Sequence, residues 1–102
     1  MIEAVVLIPV ADNNGRRFTR REWQALKDRL FAFGGLTREG NVAGAWQSGT
    51  RTYRDVSRRY VVALESWWQL PAWLEVVDWA RVAFRQEALY VRVAGVAEIR
   101  RS

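Results

Sequence analysis

Two short apolar runs, Ala4 to Val10 (AVVLIPV) and Tyr60 to Leu64 (YVVAL), constrain the fold more than any other feature of the chain. Each is too short for a buried helix. A near-continuous apolar run of this length fits a strand that is covered on both faces or lies centrally in a sheet. The rest of the chain must therefore be arranged around two central strands.

The clearest helix signal lies between them. Thr19-Arg20-Arg21-Glu22 is a T-x-x-E capping box, with Phe18 and Trp23 at the spacing of a hydrophobic staple. Trp23, Leu26, Leu30 and Phe33 recur at helical spacing and predict one buried stripe. Gly34-Gly35 ends this helix. Upstream, Asp12-Asn13-Asn14-Gly15 is a run of turn formers and predicts a loop.

Leu36 to Gln47 reads as an irregular second strand, with Gly40 and Gly44 marking a bulge or a sheet edge. Gln47-Ser48-Gly49-Thr50 predicts a hairpin turn into the strand that holds Tyr60 to Leu64. After the connector Ser66-Trp67-Trp68-Gln69, Pro71 suits the first turn of a second helix. Its apolar face is Trp73, Val76, Val77, Ala80, Ala83 and Phe84. Ala88 to Ile99 reads as the last strand. The order is βαββαβ. The predicted class is α+β with a ferredoxin-like topology: an antiparallel sheet, two helices on one face, and a single domain over residues 1–102.

Composition removes several kinds of chemistry. The 102 residues include no Cys and no His. Disulfides, thiol nucleophiles, Ser-His-Asp triads and His-based metal sites are thereby excluded, and no metal or cofactor is expected. Carboxylates, Tyr, Ser, Arg and the one lysine, Lys27, remain for any reaction. The formal charge of +5 is carried almost wholly by Arg. Arg16, Arg17, Arg20 and Arg21 could clamp phosphates, but a solvated charged surface accounts for them more simply. The N-terminal apolar run lacks a basic flank and is too short for a signal peptide, and no segment approaches membrane-spanning length. The expected location is the cytoplasm.

Read with spacing, the chain resembles an uncharacterised bacterial family known only as a domain of unknown function. The residues that carry the likeness are Gly15, Glu22-Trp23, Gly35-Leu36-Thr37, Gly44-Ala45-Trp46, Asp55-Val56-Ser57 and Phe84-Arg85-Gln86. They extend to about Tyr90. The chain departs from that pattern at Asp55, where the family has Glu, at Ala80-Arg81 in place of Tyr-Lys, and at Ala88 in place of Ser. The resemblance implies the ferredoxin-like fold and no particular chemistry.

Two constellations stand out. Trp46, Arg54, Asp55, Ser57, Arg81 and Gln86 could line one polar pocket if the hairpin and the end of the second helix meet at one sheet edge. Arg54 and Arg81 would then hold an anionic group, with Asp55 as acceptor or base. The competing account is surface ion pairs around a packing Trp. Trp67, Trp68 and Trp73 form the second set, an expected interface. Adjacent Trp67 and Trp68 cannot both face one core in an extended connector.

These features favour a non-catalytic, self-associating domain, a dimer first among oligomers, that binds a small anionic ligand. A cofactorless enzyme of the dimeric α/β-barrel type is the second reading, with Tyr53, Tyr60 and Asp55 as its acid/base candidates. RNA binding is third. The strand at Tyr60 lacks the spaced aromatics that RNA recognition on such a sheet requires, so nucleic acid is not an expected partner.

Overall fold

The computed structural model describes residues 1–101; the side chains of Trp46, Ser48 and Tyr53 lie outside the described set. The elements are β1 (Ile2–Pro9), α1 (Arg20–Phe31), β2 (Thr37–Ser48), β3 (Arg51–Leu64), α2 (Leu70–Ala83), β4 (Ala88–Val93) and β5 (Val96–Arg101). A 3-10 turn, Trp67–Gln69, precedes α2. The sheet order is β2-β3-β1-β4-β5, with every neighbouring pair antiparallel. The two apolar runs are adjacent at its centre, as Val6 faces Tyr60 and Ala4 faces Val62. Among the described residues, no helix is long and apolar enough to cross a membrane.

One expected strand is two. Ala94 and Gly95 both take left-handed conformations, at φ 50° and 81°, and turn the chain back on itself. Two successive positive φ values define the tight hairpin turn whose twist matches its strands. Ala88 to Ile99 is therefore a hairpin, and β5 becomes an edge strand beyond the four-stranded core. Arg100 ties that edge to α2 through Asp78 at 3.2 Å and bonds Glu98 at 3.1 Å.

Alternation decides the two faces of the sheet. Ala4, Val6 and Ile8 of β1 lie beneath the helices with Tyr60, Val62, Leu64, Leu89 and Val91, all essentially inaccessible. From the helices, Trp23, Leu26, Leu30, Trp73, Val77, Ala80 and Phe84 meet them. The expected stripes are thus the packed ones. Phe18 and Trp23 touch edge to face at 5.9 Å, which realises the staple, and Phe18 also meets Phe84 at 4.7 Å. Val5 points to the opposite face and is still fully buried, because Arg92 and Val61 flank it across the neighbouring strands.

The β2–β3 hairpin is longer than the strands beside it. Pairing between β1 and β3 ends at Pro9 and Ser57, with one further bond from the Val10 amide to the Val56 carbonyl at 3.0 Å. Residues 51–55 and their β2 partners therefore project past β1 as an arm. At the start of β2 the register shifts between Arg38 and Asn41, and Gly40 sits at φ 89°: this is the expected bulge on an edge strand.

Candidate functional site

The face of the sheet away from the helices carries an open-sided groove of about 930 Å³. Register explains its floor. Leu7 lies opposite Tyr90, Tyr90 opposite Ile99, and Pro9 opposite Ser57, so these side chains share one face. The arm adds Val42, Gly44 and Asp55 on the same side, since Val42 pairs with Ser57 and Gly44 with Asp55. At one end the groove reaches the β1–α1 loop, at Asp12, Asn13 and Gly15, and the α2–β4 connection, at Gln86 and Glu87. Arg101, paired with Ala88, stands at the far strand. The floor is apolar and aromatic. Among the described residues the charged lining is Asp12, Asp55 and Glu87 against Arg101.

Local bonding fixes the groove's end. The Asp12 carboxylate accepts from the amides of Asn14 and Arg16, both at 3.0 Å, and closes the loop on itself. Those amide bonds, with the Arg85 guanidinium, hold its carboxyl below the usual value of 3.8. Gln86 donates through Nε2 to the Phe84 carbonyl at 2.9 Å and the Ala11 carbonyl at 3.5 Å. With its nitrogen engaged by the backbone, the amide keeps its oxygen as the group left to offer. On the strand side, the Tyr90 hydroxyl accepts from Arg92 at 3.3 Å.

The residues singled out from sequence separate here. Asp55, Ser57 and Gln86 come together in the groove. Arg54 alternates to the other side of the arm, and it borders an adjoining hollow of about 380 Å³ with Asp55, Gly44, Ala43, Ala45 and Val56. Arg81 lies half-buried on α2, its Nη1 3.5 Å from the Gln86 carbonyl, and does not reach the groove. Trp46 and Tyr53 carry side chains outside the described set. Tyr60 is in the core, its hydroxyl accepting from Arg58 at 3.2 Å. Of the proposed interface set, Trp73 is wholly buried and cannot present a surface. Trp67 and Trp68 are 57% and 70% exposed, because the connector coils into a 3-10 turn that buries neither.

Sequence reasoning missed Leu7, Tyr90, Ile99, Glu87 and Arg101. Tyr90 and Ile99 become neighbours only when the last strand is folded in two, and Ala94-Gly95 was the available signal. Glu87 directly follows Gln86, which had been singled out.

No family model and no curated protein matches this chain, so the resemblance to an uncharacterised family goes no further. Solved structures do match. A phage SAM lyase in complex with S-methyl-5'-thioadenosine superposes with a TM-score of 0.72 at 13% identity, covering 99% of this chain and 89% of that one. A phage SAM lyase in its apo state gives 0.69 at 10% identity with the same coverage. The shared property is the fold. This match corrects the reading of a non-catalytic domain, because the solved protein that shares the fold along nearly the whole chain is a lyase. The groove gives the expected anionic ligand little charge to bind: among the described residues its lining has three carboxylates and one guanidinium, while Arg54 borders the adjoining hollow and Arg81 stays on α2.

Proposed function

We propose that the chain is a small cofactorless lyase that takes a sulfonium nucleoside of the S-adenosylmethionine type into this groove and releases its thioether. The carrying observation is an apolar, aromatic floor set beside carboxylate walls in a groove of about 930 Å³. That volume lies within the range of about 300 to 1,000 Å³ common for small-molecule sites. The fold shared with a lyase solved with S-methyl-5'-thioadenosine supplies the substrate class.

The chemistry suits the residues available. Release of the thioether breaks the bond between the sulfonium sulfur and the methylene carbon of the amino-acid arm. The bonding pair leaves with sulfur, which becomes neutral. A carboxylate oxygen of the same arm attacks the carbon and closes a lactone. No proton changes hands, so a chain without His lacks nothing the step requires. Opposite charges cancel as the step proceeds, and a site drier than water favours that change. The protein's work is to hold a folded substrate in attack geometry.

In this reading Leu7, Pro9, Tyr90 and Ile99 receive the adenine and ribose. Asp55 and Glu87 attract the sulfonium and ammonium charges, and the Gln86 oxygen accepts a hydrogen bond from the ammonium. The reading retains a homo-oligomer, a dimer first, with the exposed Trp67–Trp68 pair as its contact, and a cytoplasmic location.

Titration of ¹⁵N-labelled protein with S-methyl-5'-thioadenosine tests the assignment. Amide shifts should concentrate at Tyr90, Ile99, Gln86 and Glu87. Shifts confined to the helical face, or none at millimolar ligand, would remove the groove from consideration.

A further inference from the structure

Arg85 occupies a position that favours glycine. It follows the C-terminus of α2 with φ 52°, in the left-handed region where a side chain is strained. Two of its guanidinium nitrogens are engaged: Nε lies 3.4 Å from an Asp12 carboxylate oxygen, and Nη1 is 3.3 Å from Glu22 and 3.3 Å from the Ala83 carbonyl. The same group lies 4.9 Å from the centroid of Phe18. Asp12 belongs to the loop on one side of the groove's end. Gln86 and Glu87, the next two residues after Arg85, form the other side.

We infer that Arg85 is a positioning residue that sets the spacing between the β1–α1 loop and the Gln86-Glu87 segment, and so the shape of that end of the groove. The inference rests on the lyase reading for its functional consequence, though the clamp itself is a property of the free protein. Three observations support it. A strained backbone persists only where its surroundings hold it. The contacts that hold it run to the loop that lines the groove. They also occupy Asp12, whose carboxylate is taken by two amides and by Arg16 and Arg85. Asp12 is thereby a scaffold for the loop.

Arg85→Gly is the informative substitution, because glycine keeps the left-handed helix end while the clamp is lost. The expected result is a melting temperature close to that of the parent, with faster amide exchange at Asn14 and Arg16. KM for S-adenosylmethionine should rise by about tenfold or more, the scale of a misplaced binding group, while kcat stays within about twofold. Arg85→Lys should recover part of the KM, since a lysine reaches one carboxylate without the fork. Unchanged exchange and unchanged KM in Arg85→Gly overturn the inference and leave the lyase reading standing. If the parent protein neither cleaves S-adenosylmethionine nor binds S-methyl-5'-thioadenosine, the lyase reading fails. The exchange comparison alone then decides the clamp: faster exchange sustains it and unchanged exchange overturns it.

Discussion

Thr19 and Glu22 exchange two hydrogen bonds across the first turn of α1: the Thr19 hydroxyl accepts from the Glu22 amide at 3.2 Å, and the Glu22 carboxylate accepts from the Thr19 amide at 2.9 Å. The other Glu22 oxygen lies 3.3 Å from Arg85 and 3.6 Å from Arg16. One residue thus starts a helix and anchors the contact to α2. Removing the hydroxyl with Thr19→Ala leaves the Glu22 amide without its cap. The expected loss is about 1 kcal/mol, read from urea denaturation at constant m-value.

Acid should weaken the fold through the same contacts. The Glu22 carboxyl is held below its usual 4.5, first by the Thr19 amide, and the Asp12 carboxyl below its usual 3.8, first by the Arg16 amide. A carboxyl with a depressed folded value contributes stability fully above its ordinary value and loses it as pH falls through the folded one. Melting temperature should be insensitive to these two groups down to about pH 5 and should fall below about pH 4. In Glu22→Gln and Asp12→Asn the fall should be shallower. An acid limb identical to the parent's in both variants contradicts the assignment.

The tryptophans should divide by burial. Trp73 is fully buried and meets Phe33 at 6.1 Å, so Trp73→Ala should cost about 3 to 5 kcal/mol. Trp68, 70% exposed, should change monomer stability by less than about 0.5 kcal/mol on replacement by alanine. If Trp68 is a contact between copies, Trp68→Ala should instead lower the oligomer mass seen by light scattering.

The order of elements was legible because periodicity and caps agree with burial. The capping box, the staple and the two central runs all depend on neighbours close in sequence. The site was legible only in part, because it is made by register. Asp55, Ser57 and Gln86 stood out as polar residues near element ends, and they meet in the groove. Arg54 looked equivalent to Asp55, yet a strand sends successive side chains to opposite faces. Tyr90 and Ile99 were hidden by the Ala94 turn, since alanine seldom signals a positive φ.

That turn yields a further prediction. Ala94 sits at φ 50° where asparagine is better suited, so Ala94→Asn should stabilise the β4–β5 hairpin by about 0.5 to 1 kcal/mol. Gly95→Ala, at φ 81°, should destabilise it by a similar amount. Denaturation midpoints of the two variants should move in opposite directions.

The most direct test of the central claim is incubation of the purified protein with S-adenosylmethionine, with products separated by liquid chromatography and identified by mass. The account predicts time-dependent formation of S-methyl-5'-thioadenosine and the matching lactone without added cofactor, sharply reduced in Asp55→Asn and Glu87→Gln. A time course no faster than the buffer blank, from protein shown to be folded, would contradict it.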